Sequence, residues 1–382
     1  MELKPEICTG CGQALEGEDA HPYRHQVTEI PPIRPEVKEY RIHLLVCPCC
    51  GERNYGHLPD GVSTGAFGPR LQGMVGLCTG VYRLSKRTVL SLLSDMLGVE
   101  MALGSVSGCE KAVSQALSGP VEEAGRFACG QSEANADETS WRESKKRVWL
   151  WVMVTSLVTV FMIHASRGKK AANQLLEGFG GILITDRWGG YNDWPLERRQ
   201  FCWAHLIREF RAMSERDGEA SRIGKGLMDA TKDLFDLWHG FLEGKWDRRA
   251  LQARAGPVRE KVEKLLQEGA ACSHKRTAGT CRQLLKRFPS LWTFLREDGV
   301  EPTNNAAERA VRPAVLWRKG SFGTDSASGS RFAERIMTVS ATCRQQKRNV
   351  LEFVVDALRA NLAGTQPPSL LPDQKIVVAT EV

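Results

Sequence analysis

Three acidic residues stand where a carboxylate could bind a metal ion: Asp137, Asp186 and Glu308. Asp186 ends the apolar run Gly181-Ile-Leu-Ile-Thr-Asp186 and precedes Arg-Trp-Gly-Gly-Tyr-Asn192. A short buried strand that stops before a Gly-Gly turn delivers its last residue to the rim of a sheet. Asp137 lies in Asn135-Ala-Asp137-Glu-Thr-Ser-Trp141, ahead of a long apolar run. Glu308 lies in Thr303-Asn-Asn-Ala-Ala-Glu308-Arg-Ala-Val-Arg312, a helical pattern with little bulk, in which Asn304, Glu308 and Arg312 are four apart and share a helical face. If the three carboxylates converge, they can hold two divalent cations about 4 Å apart, one at an attacking oxygen and one at a leaving oxygen of a DNA phosphodiester. Hard oxygen ligands suit Mg2+ or Mn2+, and the cations would offset the repulsion among the acids. A Gly-rich phosphate loop of the Walker type is absent, which argues against nucleotide hydrolysis.

Each acid also has a purely structural reading. Asp137 could begin a strand, with Glu138 as its solvent-facing neighbour. Asp186 could cap the turn at Gly189-Gly190, and Glu308 could close a capping box with Asn305. The fold order and the basic residues beside the third acid shift the balance toward catalysis. Arg309, Arg312, Arg318 and Lys319 follow Glu308 closely and are candidates for clamping DNA phosphates, the alternative being a solvated basic helix. Between Pro302 and Asn349 nine Arg or Lys face three acids, 9 − 3 = +6, against +7 for the whole chain, so the positive charge is local. His205, in Cys202-x2-His205, is a packed histidine or a phosphate contact; two ligands without a second pair make a poor zinc site.

At the start of the chain, Cys8-Thr-Gly-Cys11 and Cys47-Pro-Cys49-Cys50 form two knuckles that could present four thiolates, Cys8, Cys11, Cys47 and Cys50, to a structural Zn2+. Cys49 is then a bystander, and His21, His25 and His43 could substitute as ligands or be polar residues of strands or loops. The other reading is a small β ribbon with redox-inert thiols.

The elements that must position these residues follow from periodicity. Residues 23–26 and 39–46 read as strands, and residues 69–82, 85–97 and 105–117 as amphipathic helices. Ser85 is a candidate N-cap and Gly98 a stop, and the short link after Gly98 gives the last two helices a helix-turn-helix character, with the third as DNA reader or as part of a simple bundle. Gly119-Pro120 begins a linker. The run from Val148 to His164 is rich in β-branched and aromatic residues and contains Thr155, Ser156 and Thr159, so it reads as two strands turning near Ser156-Leu157 rather than as a membrane span. With the strand at Asp137, a helix over 169–177, the strand ending at Asp186 and a fifth at 198–202, the order is β-β-β-α-β followed by β, the ribonuclease H-like arrangement. A helix over 202–210 and amphipathic helices over about 212–298 follow, with Trp238, Trp246 and Trp292 as core anchors. A helix starts near Asn304 and ends or kinks at Pro313. Helices over 328–345 and 350–362 precede an irregular, weakly packed tail.

The expected fold class is therefore α+β and multidomain. It comprises a zinc-binding module (residues 1–60), a helix-turn-helix-like helical domain (65–120), and a ribonuclease H-like α/β catalytic core (130–345) with the helical insertion, then a C-terminal helix and tail (346–382). A chain of 382 residues is long enough for several cores. An apolar content of 42% with 25% charged residues is ordinary for soluble globular proteins. Met1 to Glu6 is polar, without a signal pattern, so the twelve cysteines read as free or metal-bound thiols of a reducing cytoplasm.

The segments Asp137-Glu-Thr-Ser-Trp, Thr185-Asp186-Arg-Trp-Gly-Gly-Tyr-Asn192, Arg199-Gln-Phe-Cys-Trp-Ala-His-Leu-Ile-Arg208 and Asn304-Asn-Ala-Ala-Glu-Arg-Ala-Val-Arg-Pro313 together resemble transposases of the insertion-sequence-66 family. With the knuckles in front, the resemblance covers nearly the whole chain. It implies a DDE-type core with Asp137, Asp186 and Glu308 as catalytic acids, zinc on Cys8, Cys11, Cys47 and Cys50, and metal-dependent cleavage and joining of DNA. It further implies binding of element ends and target DNA, a homo-oligomer that synapses two ends, accessory proteins encoded by the same element, and a bacterial, nucleoid-associated location without a membrane. The approach Asn135-Ala to the first acid, and the chain after Pro368, depart from the family pattern. Two other functions compete: a catalytically inactive DNA-binding regulator of the element, and a structure-specific nuclease of the same fold.

Overall fold

A computed structural model of the protein describes residues 1–371. Regular structure is sparse at the start. An isolated bridge joins Ile7 and Ala14, and β1 (Leu44–Val46) pairs antiparallel with β2 (Arg53–Tyr55). The expected strand at 23–26 does not form, and only the end of 39–46 does. A strand needs a partner for its backbone groups; residues 23–26 are exposed throughout, and residues 39–43 lie beside 54–59 without a continuous ladder, the His43 carbonyl accepting from the Gly56 N–H.

Helices follow: α1 (Pro69–Gly76), continued by a π turn over Leu77–Val81, then α2 (Lys86–Leu97), α3 (Leu103–Ala116) and α4 (Ser118–Cys129). The Ser85 hydroxyl accepts from the Thr88 N–H, and Gly98 ends α2 in the left-handed region, as expected. Gly119-Pro120 is not a linker. Pro120 sits in the first turn of α4, where its missing N–H leaves no intrahelical bond unmade. Helix α3 packs against α1 and against two helices near the end of the chain, leaving Ser107, Lys111 and Gln115 exposed.

The sheet comprises β3 (Glu133–Glu143), β4 (Lys146–Val154), β5 (Thr159–His164), β6 (Ile182–Thr185) and β7 (Arg199–Phe201), with α5 (Lys169–Leu175) before β6. Its order is β5-β4-β3-β6-β7, the first three antiparallel and β6 and β7 parallel to β3. The apolar run after Arg147 thus turns between Val154 and Thr159, as its residue types indicated. Among the described residues no helix is long and apolar enough to cross a membrane.

Beyond the sheet come α6 (Trp203–Ser214), α7 (Gly218–Leu242), α8 (Arg248–Ala271), α9 (Lys275–Lys286) and the single turn α10 (Thr293–Arg296). They enclose a core that includes Trp203, Trp238 and Trp292, while Trp246 is only half-buried and donates to the Leu237 carbonyl. The close approach of α6 and α7 depends on Gly224, where an added Cβ would come within 2.2 Å of the Ser214 nitrogen. The chain then returns to the sheet through α11 (Asn305–Ser321), α12 (Ala327–Gln345) and α13 (Val350–Ala363). Helix α11 does not end at Pro313. The carbonyl left without a helical partner there belongs to Arg309, an exposed residue that water can reach. The N-terminal helices and the sheet share a core: Val113 and Leu117 lie in one cluster with Leu150, Ile336 and Phe353.

The segment after α13 is better packed than expected. Leu370 is fully buried, and Glu123 on α4 accepts from Ser369 and from the Leu370 N–H. The remainder of the expected tail lies outside the described residues.

One buried acid makes the sheet's outer edge sensitive to pH. Glu334 on α12 accepts from the Ile163 N–H of β5, and burial pushes its carboxyl up to about 7 from an ordinary 4.5. A carboxyl with a raised folded-state pKa binds protons more tightly when folded. The stability it confers is therefore full below about pH 4.5 and is lost as the pH rises through 7. At about 1.4 kcal/mol per pKa unit, the shift from 4.5 to about 7 corresponds to a loss of about 3–4 kcal/mol. Glu334→Gln keeps an acceptor for Ile163 and cannot ionise, so denaturant melts of the variant and the wild type should converge at pH 5 and separate by that amount at pH 8.

Candidate active site

The register of β3 and β6 pairs Glu133 with Ile182, Ala134 with Leu183 and Asn135 with Ile184. Continued two residues further, the same alignment brings Asp137 level with Asp186, which directly follows the last residue of β6, Thr185. Alternation along β3 then determines which acid faces the helix. Asp137, Thr139 and Trp141 are on the side of α11, where Trp141 packs edge-on against Trp317. Glu138 points to the opposite face and is buried at 8% exposure, not solvent-facing. There it pairs with Arg167 at 3.0 Å and accepts from the Tyr191 hydroxyl at 3.0 Å, while the Arg167 guanidinium lies over Trp188.

Each aspartate is held by its own backbone. An oxygen of Asp137 accepts from the Glu138 N–H, and one of Asp186 accepts from the Trp188 N–H, both at 2.8 Å. The turn after Asp186 is clamped by Arg199, 1% exposed, which donates to the Thr185 hydroxyl and to the carbonyls of Asp186 and Tyr191. Burial lowers the Arg199 pKa to about 10, partly countered by Asp186, so the guanidinium stays charged at neutral pH.

Glu308 reaches the same region from α11. The start of that helix is fastened to β3 by Asn304, which is fully buried. Its side chain donates to the Ala136 carbonyl at 2.8 Å and accepts from the Asn135 amide at 2.9 Å, and its backbone N–H donates to the Cys202 sulfur. Asn304, Glu308 and Arg312 do not share one environment despite their spacing. Four residues advance a helix by slightly more than a turn, so the row drifts from buried to half-buried to exposed.

The charges of Asp186 and Glu308 both act on Asp137. Burial pushes the Asp137 carboxyl up to about 7, reinforced by Glu138, Asp186 and Glu308 and opposed by the Glu138 N–H. One oxygen of Glu308 is 3.5 Å from Arg208, and the other is buried, 3.4 Å from His205 Nδ1, without a hydrogen-bond partner. Asp137, Asp186 and Glu308 therefore share an electrostatic neighbourhood, but their ligand atoms do not all lie within 4.8 Å of one another, and the unpartnered Glu308 oxygen faces His205.

The basic residues divide. Arg309, Arg312 and Lys319 are exposed. Arg318 is not: it donates to the Ser140 carbonyl on β3 at 2.8 Å, so it ties α11 to the sheet. His205, at the start of α6, is turned toward Glu308.

At the chain's start the two knuckles are near-copies. Cys8 N–H donates to the Gln13 carbonyl and Gly12 N–H to the Cys8 carbonyl, and Cys47 N–H donates to Glu52 and Gly51 N–H to Cys47. Gly12 and Gly51 both have φ +75°, a conformation that favours glycine. Backbone N–H groups lower the thiol pKa of Cys8 and of Cys47, with Cys11 and Cys50 contributing in turn. The knuckles themselves stay apart. Among the described residues, Cys202, His205 and Glu308 form the only group of three or more potential ligands within 4.8 Å of one another.

Sequence reasoning missed Arg199, the Glu138–Arg167–Tyr191 set and the Asn304 clamp. Their signals were buried polar residues next to the acids, which no periodicity separates from surface residues.

Three proteins of Sinorhizobium fredii (strain NBRC 101917 / NGR234) are similar to this chain. The uncharacterized proteins y4qI and y4hP are each 25% identical to it, over 240 and 242 residues, and y4jD is 23% identical over 230. The matches cover 56% of this chain and 43–44% of those proteins, so the chain spans less than half the length of these relatives. The model of the transposase IS66 family matches residues 80–331, a span that contains both aspartates, Glu308 and the sheet that positions them, and the chain belongs to that family.

Proposed function

We propose that the protein is a DDE-type DNA transposase that cleaves at the ends of its element and joins them to target DNA, with Asp137, Asp186 and Glu308 as the catalytic acids. Membership of the family carries transposase activity in general and implies divalent metal use. The observation that supports the finer reading is that the charges of Asp186, just after the strand beside β3, and of Glu308, on α11, both act on the buried Asp137 carboxyl. The sheet order, with three antiparallel strands and two parallel ones beyond the first, supports a ribonuclease H-like core over residues 130–345.

The three carboxylates would hold Mg2+ or Mn2+, which supply charge stabilisation at the attacking and leaving oxygens. The protein's own groups orient that site. Glu138 and Trp188 N–H groups fix one oxygen of each aspartate, Arg199 holds the turn after Asp186, and Asn304 sets the distance of α11 from β3. Arg309, Arg312 and Lys319 are the side chains we assign to DNA phosphates. Arg318 serves the fold, and His205 adjoins Glu308. In a filter-binding series, replacing all three exposed residues by alanine should lower the slope of log affinity against log salt by about 0.9 for each phosphate no longer neutralised.

Incubation of the purified chain with duplexes carrying the terminal sequences of its element tests the reading. Nicking and joining should both require Mg2+ or Mn2+. Cutting without joining would instead identify a nuclease, and metal-independent binding without nicking a regulator; either outcome replaces the transposase reading.

Residues 1–60 we read as a zinc module. The donor chemistry of each knuckle suits zinc, a thiol pair with backbone N–H groups on the first sulfur, but the two pairs do not meet in the structure, so a shared ion would have to draw them together. Cys8, Cys11, Cys47 and Cys50 would hold Zn2+, with Cys49 aside. One zinc per chain is expected at these four thiols, lost in Cys8→Ser together with Cys50→Ser while helix content is kept; equal zinc retention in that variant would remove the module. Helices over residues 65–120 and the element's accessory proteins are the proposed partners in end recognition, and a homo-oligomer the form that holds two ends.

A further inference from the structure

Cys202 and His205 bracket the first turn of α6, and by themselves they are two ligands without a partner pair. Folding brings Glu308, about a hundred residues later, to the same spot (308 − 205 = 103). The Cys202 sulfur, a His205 ring nitrogen and a Glu308 carboxylate oxygen lie within 4.8 Å of one another. Ligands bound at about 2.0–2.3 Å to a tetrahedral ion are roughly 3.3–3.8 Å apart, so small side-chain adjustments would close the set.

Three features favour a cation here over an ordinary polar contact. His205 Nδ1 and Glu308 Oε1 are both buried from solvent and have no hydrogen-bond partner, although they are 3.4 Å apart. Two such atoms facing each other without a bond between them are costly unless something else satisfies both. Cys202 is 1% exposed, and its sulfur receives the Asn304 N–H. The third is the donor set itself: a thiol and an imidazole beside a carboxylate are the ligand types that zinc sites use. Arg208, 3.5 Å from the other Glu308 oxygen, opposes a cation, but its side chain is 61% exposed and free to swing into water.

We propose that Cys202, His205 and Glu308 form a binding site for a transition-metal dication of the zinc type, separate from the N-terminal thiols. Thiolate and imidazole select such an ion over magnesium, and three protein ligands leave a fourth position open. The site shares Glu308 with the proposed catalytic group. Its occupancy therefore draws that carboxylate away from Asp137 and Asp186 and inhibits the magnesium-dependent reaction. This consequence, unlike the binding itself, rests on the transposase reading.

Cobalt titration of the full chain, with its N-terminal thiols first loaded with zinc, reads the site directly. One further equivalent of Co2+ should bind, giving a thiolate-to-cobalt absorption band of one-sulfur intensity. Cys202→Ser should abolish that band. His205→Gln, at a half-exposed position that threatens the fold less, should weaken cobalt binding by about tenfold or more. Absence of the extra equivalent, or a band unchanged in both variants, overturns the proposal. In the DNA assay, zinc should inhibit magnesium-dependent nicking, chelator should reverse the effect, and Cys202→Ser should need more zinc for the same inhibition. Cobalt binding without any DNA cleavage would leave this site standing and remove the transposase reading, whereas metal-dependent cleavage without cobalt binding would do the reverse.

Discussion

Asp186→Asn will abolish DNA nicking and joining while leaving the protein folded. The amide oxygen can still accept the Trp188 N–H that positions the side chain, and Arg199 still clamps the following turn through backbone carbonyls. What disappears is the negative charge. Asp137→Asn should behave alike, since its oxygen can still accept the Glu138 N–H. Groups that act as one unit lose most of their effect together, so each single variant should fall by about 10³-fold or more, and the double variant little further. A second readout separates charge from geometry. Asp137 is pushed up to about 7 by burial and by its acidic neighbours, so the metal-free protein bears a penalty above that pH that Asp137→Asn removes. Thermal melts at pH 8 in chelator should therefore show the inactive variant as the more stable protein, and Mg2+ should raise the melting temperature of the wild type only. Retention of wild-type nicking by either variant would remove the acids from the mechanism.

Asn304→Ala should damage both stability and activity, although Asn304 touches no substrate in this reading. Its side chain is fully buried and bridges the Ala136 carbonyl and the Asn135 amide. Removing it strands one buried acceptor and one donor on β3, each costing about 1–3 kcal/mol, for a total of about 2–4 kcal/mol after partial relaxation. The same deletion frees the start of α11, one turn before Glu308. A displacement near 1 Å of a catalytic group can cost about 10²-fold in rate. Urea melts and single-turnover nicking should thus both fall, whereas replacing exposed Asn305, the next residue, should leave both within error. Equal effects at the two positions would show that the clamp has no special role.

The strands and helices around the acids were legible because their signals are local. The apolar run with polar residues at 155, 156 and 159 turned where expected, and Ser85 and Gly98 bounded α2. Asp186 at the end of β6 was legible for the same reason. The errors also have local causes. Pro120 was read as a linker and Pro313 as an end or a kink; the helices run through both, because proline is harmless in a first helical turn and at an exposed position water can reach the carbonyl it leaves free. The stretch at 23–26 had strand character but no neighbour.

Residue types and spacings alone singled out the three acids as candidates, the succession of elements up to β7 and the two cysteine knuckles. Only tertiary structure decided which face of β3 each acid occupies, that Arg318 belongs to the fold, and that α3 packs against α1 and the last two helices. It also decided that Glu308 meets Cys202 and His205. Periodicity and capping depend on neighbours within about one turn or one strand pair. Contacts across a hundred residues depend on how whole elements pack, and a polar side chain has the same spacing whether it ends in water or between two helices.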